Sequence, residues 1–170
     1  METSGGINNE NGINVVSIRL VNERKAFNNT PIRTKSDAIK AMCNELSLYD
    51  REIFCILNLR TDGSVINMNI VSQGTLNASL VSPREVFKSS ILSNTASFIA
   101  LHNHPSGNIK PSKQDYDITK RLYECGELLD IYLLDHIIVG GGINKCYSFR
   151  EHNELGYSYE EIKNRNCHER

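Results

Sequence analysis

Residues 97–115 constrain the chain more than any other stretch. Ser97-Phe98-Ile99-Ala100-Leu101 is an apolar run of strand length that empties directly into His102-Asn103-His104. Side chains two apart on an extended chain point to the same side, so both imidazoles face one way where the strand ends. The loop that follows is bounded by Pro105 and Pro111, which restrict its wandering, and contains Gly107 for the bend. Ser112 then caps a helix and puts Asp115 at its third position, where the helix dipole favours a carboxylate. Two imidazoles and one carboxylate, with one coordination position left for water, make a catalytic-type zinc site.

The surrounding chain is of a size and composition to carry such a site. Its 170 residues suffice for one domain with a real core and are too few for two comfortable ones. Hydrophobic content of 39% and charged content of 23% fit a soluble globular protein, and a net charge of -1 gives no global basic field for nucleic acid. No stretch approaches a membrane span and the N-terminus lacks an apolar signal core, so the expected location is cytoplasmic. Cys43, Cys55, Cys125, Cys146 and Cys167 are scattered, odd in number and form no C-x-x-C, which reads as free thiols in a reducing compartment.

Taken in order, residues 1–30 are a lead-in, rich in Gly, Asn and Ser up to about Asn11, with an expected strand over residues 13–21. Ser36 is expected to cap a helix bearing Ile39, Met42, Cys43 and Leu46 on one face. Residues 53–59 read as a strand with Glu52 at its mouth, residues 61–64 as a hairpin turn, and residues 65–71 as the antiparallel return. Residues 74–81 connect to a second helix opened by Ser82 as N-cap and Pro83 at the first position, running to about Asn94. The third helix runs from Ser112 through Ile118, Leu122 and Cys125 to Gly126. Strands are expected over residues 130–139 and 145–149. From Glu151 the chain is polar and charged, which suggests a loosely attached tail. The boundaries expected are a lead-in over 1–30, one domain over 31–152 and a tail over 153–170. Mixed strands and helices with at least one hairpin imply an α/β fold, a mixed sheet with helices on both faces.

At a zinc site the ion lowers the pKa of a bound water toward ~7. The water then needs a general base within reach, and a glutamate that does not bind the metal is the usual one. Glu52 is the candidate, provided its strand neighbours the 97–101 strand. Each feature alone has an ordinary meaning: Ser112-x-x-Asp115 is a good capping box, and Glu52 a solvated strand-end charge. Their conjunction points to chemistry.

His102-x-His104, seven residues, then Ser112-x-x-Asp115 matches the JAMM (MPN+) metalloprotease motif position by position, with Glu52 where that family carries its upstream glutamate. The surrounding text resembles the RadC-like branch more narrowly, in Tyr49-Asp50-Arg51-Glu52, in residues 71–77, in Pro83-Arg84-Glu85-Val86-Phe87, in residues 102–107 and in Leu134-Asp135-His136-Ile137-Ile138. The likeness runs from about Pro31 to about Leu155. It implies a JAB/MPN α/β domain, akin in layout to cytidine deaminases. It also implies one Zn2+ per chain on His102, His104 and Asp115, with Glu52 activating water and Ser112 polarising the scissile carbonyl or holding the oxyanion. The reaction implied is hydrolysis of a peptide or isopeptide bond in a protein or peptide substrate. JAMM-type domains often pair, so a homodimer is an open expectation.

Longer RadC-like chains carry a helix-hairpin-helix region before this domain; the first thirty residues are too few for one, which weakens any carry-over of DNA binding. The inserted segments with which eukaryotic JAMM deubiquitinases grip ubiquitin are not found, so ubiquitin cleavage is not implied. His102-Asn103-His104 spells HNH, but those nucleases spread their key residues over a ββα unit. A deaminase would need H-x-E and a P-C-x-x-C stretch, and His stands at position 104. His136, on an apolar strand, reads as a structural or supporting histidine rather than a ligand. His152 and His168 carry no signal. The competing functions are a non-catalytic adaptor or DNA-repair-associated domain, disfavoured by the complete motif, and hydrolysis of some other amide-like bond.

Overall fold

A computed structural model of the chain describes residues 17, 19–21, 35–74, 81–140 and 145–161. Among the described residues five strands and three helices follow in the order α1 (Lys35–Leu46), β1 (Ile53–Leu59), β2 (Val65–Gln73), α2 (Pro83–Leu92), β3 (Ser97–Asn103), α3 (Lys113–Leu129), β4 (Tyr132–Val139) and β5 (Cys146–Ser148). They form one mixed sheet in the order β2-β1-β3-β4-β5. Only β3 and β4 are parallel. Parallel neighbours need a crossover, and α3 supplies it.

Strand residues alternate between two cores, as the period of two requires. On one face Ile53, Cys55, Leu57, Leu59, Ile99, Leu101, Ile137 and Val139 pack with Ala38, Met42 and Leu46 of α1. On the other, Phe54, Ile56, Phe98, Ala100 and Leu133 pack with Val86 and Phe87 of α2 and Ile118 and Leu122 of α3. Helices on both faces explain why every residue of β1 is buried. The hairpin turn forms as expected: Gly63 takes φ +80° and Asp62 Oδ1 accepts the Ser64 amide at 2.9 Å.

Ser82 is the N-cap of α2 with Pro83 in its first turn, as expected, although its side chain makes no capping hydrogen bond. Three local expectations need correction. Helix α1 begins at Lys35, so Ser36 lies inside its first turn instead of capping it. Helix α3 does not stop at Gly126 but continues to Leu129 and ends on Asp130 in the left-handed region, φ 54°. Gly126 is a glycine for another reason: a Cβ there would lie 2.6 Å from the Ile131 carbonyl oxygen, which turns back over the helix. Finally, residues 154–161 are docked. Tyr116 and Tyr147 both donate to Glu154 Oε2, the former at 2.7 Å. Leu155 and Tyr159 pack on Tyr116, Ile138 and Phe149. Of the expected strand over 13–21, residues 13–16 and 18 lie outside the described residues, and Ser17 and residues 19–21 carry no regular structure. Residues 75–80 of the expected connection also lie outside them.

Candidate metal centre

The topology gathers the site. Strand β3 ends at the edge of the core and delivers His102 and His104. The crossover returns over the same end, so the first turn of α3 carries Asp115 to them. Strand β1 runs antiparallel to β3 with Phe54 opposite His102, so the chain entering β1 brings Glu52 to that end as well.

His102 Nε2 lies 3.0 Å from His104 Nε2 and 3.1 Å from Asp115 Oδ1, and His104 Nε2 lies 3.5 Å from Asp115 Oδ2. Ligand atoms ~2.0 Å from a tetrahedral ion stand about 3.3 Å from each other, so these contacts, which reach the two different oxygens of Asp115, are of the size a bound metal ion requires. The donor set also fits. His104 Nδ1 lies 2.6 Å from the Asn108 carbonyl oxygen, which can only accept, so that nitrogen carries the proton and Nε2 turns a lone pair inward. Among the described residues this is the one group of three or more His, Cys, Asp or Glu close enough to hold a metal ion. The His102 side chain is 1% exposed, against 15% for His104 and 12% for Asp115, so the centre opens to solvent on their side.

The loop between the ligands is held at both ends. The His104 amide donates to the Val139 carbonyl at 2.8 Å, and the Gly107 amide to the His104 carbonyl at 2.9 Å. Gly140 lets this loop sit close: a Cβ there would meet the Gly107 carbonyl oxygen at 2.8 Å. At the loop's end the capping box is complete. Asp115 Oδ2 accepts from Ser112 N and Ser112 Oγ, each at 2.6 Å, and Asp115 N donates to Ser112 Oγ at 3.2 Å. These bonds occupy Oδ2 and leave Oδ1 facing His102.

Burial by itself would raise the Asp115 pKa. The contacts with the His102 and His104 imidazoles and with the Ser112 hydroxyl outweigh it and hold the carboxyl well below the usual carboxylate range. The same contact with Asp115 raises His104, opposed by burial and aided by the Asn108 carbonyl and the negative charges of Asp115 and Glu52. His136 is fully buried, and burial lowers its pKa well below the ordinary imidazole value.

The structure thus brings His102, His104 and Asp115 together, sets Ser112 on Asp115, and places half-buried Glu52 where its charge reaches His104. Three supporting residues complete the surroundings. His136 Nε2 lies 2.8 Å from His102 Nδ1, as suits a supporting histidine. Two others were not singled out by the sequence. Thr119 Oγ1 lies 2.6 Å from His136 Nδ1; its only signal was its place four residues after Asp115, on the same helical face. Asn103 Oδ1 accepts the Ile53 amide at 2.7 Å and Asn103 Nδ2 donates to the Arg51 carbonyl at 3.0 Å, fixing the chain on either side of Glu52. No local pattern marks a partner fifty residues away.

A family model described as a RadC-like JAB domain matches residues 32–155. The chain is similar to a UPF0758 protein of Clostridium acetobutylicum, 41% identical over 142 residues, which are 81% of this chain and 62% of the relative. It is 42% identical over 120 residues to one of Bacillus velezensis, covering 71% and 52% of the two chains. To one of Geobacillus thermodenitrificans it is 47% identical over 109 residues, covering 64% and 48%. The chain spans about half the length of these curated relatives. No described helix is long and apolar enough to cross a membrane.

Proposed function

Because the chain belongs to the RadC-like JAB domain family, whose wider superfamily includes metalloproteases, we propose that it is a zinc-dependent hydrolase cleaving peptide or isopeptide bonds. The observation that carries this reading is the convergence of His102 Nε2, His104 Nε2 and the Asp115 carboxylate, the two nitrogens 3.0 Å apart and each within 3.5 Å of an Asp115 oxygen, with an open side. A bound zinc ion would supply a Lewis acid that polarises a carbonyl and makes water acidic near neutral pH. His102, His104 and Asp115 would hold that ion. Glu52, anchored by its neighbours' bonds to Asn103, accepts the proton of the attacking water and passes it to the leaving amine. Ser112 Oγ, which donates to Asp115 Oδ2, turns its proton to the oxyanion as charge develops there.

The test is metal analysis followed by hydrolysis of a peptide and isopeptide library. Purified chain should hold about one zinc. Glu52→Gln should keep the metal and lose turnover, and His102→Ala should lose the metal. Native protein that neither contains zinc nor takes it up would sink the reading.

A further inference from the structure

Three groups tie His102 to the start of the helix that carries Asp115, and none of them touches the ion's position. Thr119 Oγ1 lies 2.5 Å from the Asp115 backbone carbonyl, which can only accept, so the single hydroxyl proton points there. The same oxygen lies 2.6 Å from His136 Nδ1 and therefore accepts, so Nδ1 carries the His136 proton. His136 is fully buried among Phe54, Phe149 and His102, and its two ring nitrogens meet Thr119 Oγ1 and His102 Nδ1. Such a ring is neutral and has one N–H, which leaves Nε2 as an acceptor. His102 Nδ1, 2.8 Å away, must then be the donor, and the lone pair of His102 falls on Nε2, the atom facing His104 and Asp115.

We propose that His136 and Thr119 are positioning residues that fix the tautomer and orientation of His102, so that Nε2 is presented to the ion before it arrives. The acceptor behind a ligating imidazole is ordinarily a carboxylate, a carbonyl or water. Here it is a second imidazole, which can accept or donate with either nitrogen, so it needs a lock of its own. Thr119 is that lock. The ring plane is held as well: Phe149 stacks on His136 at 5.1 Å with an 8° tilt, and Phe54 meets its edge at 5.5 Å. The relay joins β3, β4 and the first turns of α3, so the imidazole ligand and the carboxylate ligand are set by one chain of bonds.

This inference rests on the zinc reading above, and its test is chosen so that the two fail differently. Zinc affinity is measured by competition with a chromophoric chelator for the wild type, Thr119→Val, Thr119→Ser, His136→Phe and His136→Gln, with folding checked by circular dichroism. Long-range 1H–15N spectra of the wild type report which His136 nitrogen is protonated. The valine and phenylalanine variants should bind zinc 10–100-fold more weakly. Serine, which keeps the hydroxyl, and glutamine, whose amide oxygen can accept from His102, should restore most of the affinity. His136 should carry its proton on Nδ1. If His136→Phe does not fold, the threonine pair decides. A His136 proton on Nε2, or folded Thr119→Val with wild-type affinity, overturns the relay while leaving the zinc reading intact. A wild type that takes no zinc overturns both.

Discussion

Asn103 and Ile53 meet across the end of the β1–β3 ladder, with Asn103 Oδ1 accepting the Ile53 amide at 2.7 Å. The same side chain donates to the Arg51 carbonyl at 3.0 Å, so one buried amide grips the chain before and after Glu52. Truncating it strands the buried Ile53 amide, at a cost of ~1–3 kcal/mol, while the part-buried Arg51 carbonyl loses one donor. Asn103→Ala should therefore lose about 1–3 kcal/mol in urea denaturation. Because its side chain points away from that of His102, it should keep its zinc affinity within about threefold while hydrolysis falls. A variant that loses metal but not stability would contradict this division of labour.

Metal binding should be visible as stability. A ligand that binds only the folded state adds about 2.7 kcal/mol at a hundredfold excess over its Kd. Zinc should raise the unfolding midpoint of the wild type and a chelator should reverse the shift. His104→Ala should abolish the zinc-dependent shift. The metal-free variant should lose only the order of 1 kcal/mol for the bond to the Asn108 carbonyl, since His104 is partly exposed. Differential scanning fluorimetry with and without zinc distinguishes the two effects.

Much of this was legible in the sequence because the signals are local. The apolar run of β1, the Asp-Gly turn and the His-x-His pair each need only their neighbours to be interpreted. Glu52 was legible only on the condition that two strands pair, and Phe54 opposite His102 meets it. Asn103 and Thr119 are not marked in the sequence because their partners Ile53, Arg51 and His136 arrive on other strands or the chain entering them, and hydrogen bonds of that kind leave no periodicity. The docking of residues 154–161 is unmarked for a related reason. Leu155 and Tyr159 are isolated apolar residues in a charged segment, and their burial depends on a surface made by Tyr116 of α3, Ile138 of β4 and Phe149 just after β5.

Gly126 shows a conflict between propensity and packing that can be measured. Alanine in a helix interior is ordinarily favoured over glycine by about 1 kcal/mol. At this position a Cβ would stand 2.6 Å from the Ile131 carbonyl oxygen and 3.5 Å from the Leu133 amide nitrogen, both backbone atoms that cannot swing aside. Gly126→Ala should be net destabilising, by about 1–3 kcal/mol, as overpacking generally is. A stabilised variant in thermal unfolding would mean that the turn into β4 yields.

Glu154 pins the segment that follows β5. Two tyrosine hydroxyls share its Oε2, and a hydrogen bond to a charged group contributes roughly 1.5–3 kcal/mol. Its negative charge and burial together raise the Tyr116 hydroxyl to about 12, with burial the larger cause. Glu154→Ala should release residues 154–161 without unfolding the sheet. Amide exchange there should accelerate while that of β1 and β3 is unchanged, and chymotrypsin should cut sooner after Tyr157 and Tyr159. Uniform acceleration across the chain would show instead that the segment is part of the cooperative core.

Asp135 gives a pH dependence of definite sign. Its Oδ2 accepts from Ser148 Oγ at 2.6 Å and its Oδ1 from the Arg150 amide at 3.1 Å, which favour the charged form. Burial outweighs them and raises its pKa above the ordinary carboxylate value. Between an unfolded value of about 4 and the raised native value, the folded state binds more protons than the unfolded one, so this group's contribution to stability falls as pH rises. Asp135→Asn cannot titrate but keeps one acceptor. The stability of the wild type relative to Asp135→Asn should therefore decline from about pH 4 upward and level off above the native value, a difference in which every other titrating group cancels. Urea midpoints of the two proteins across that range check it, and a relative stability that rises with pH would place the carboxyl in net favourable contacts instead.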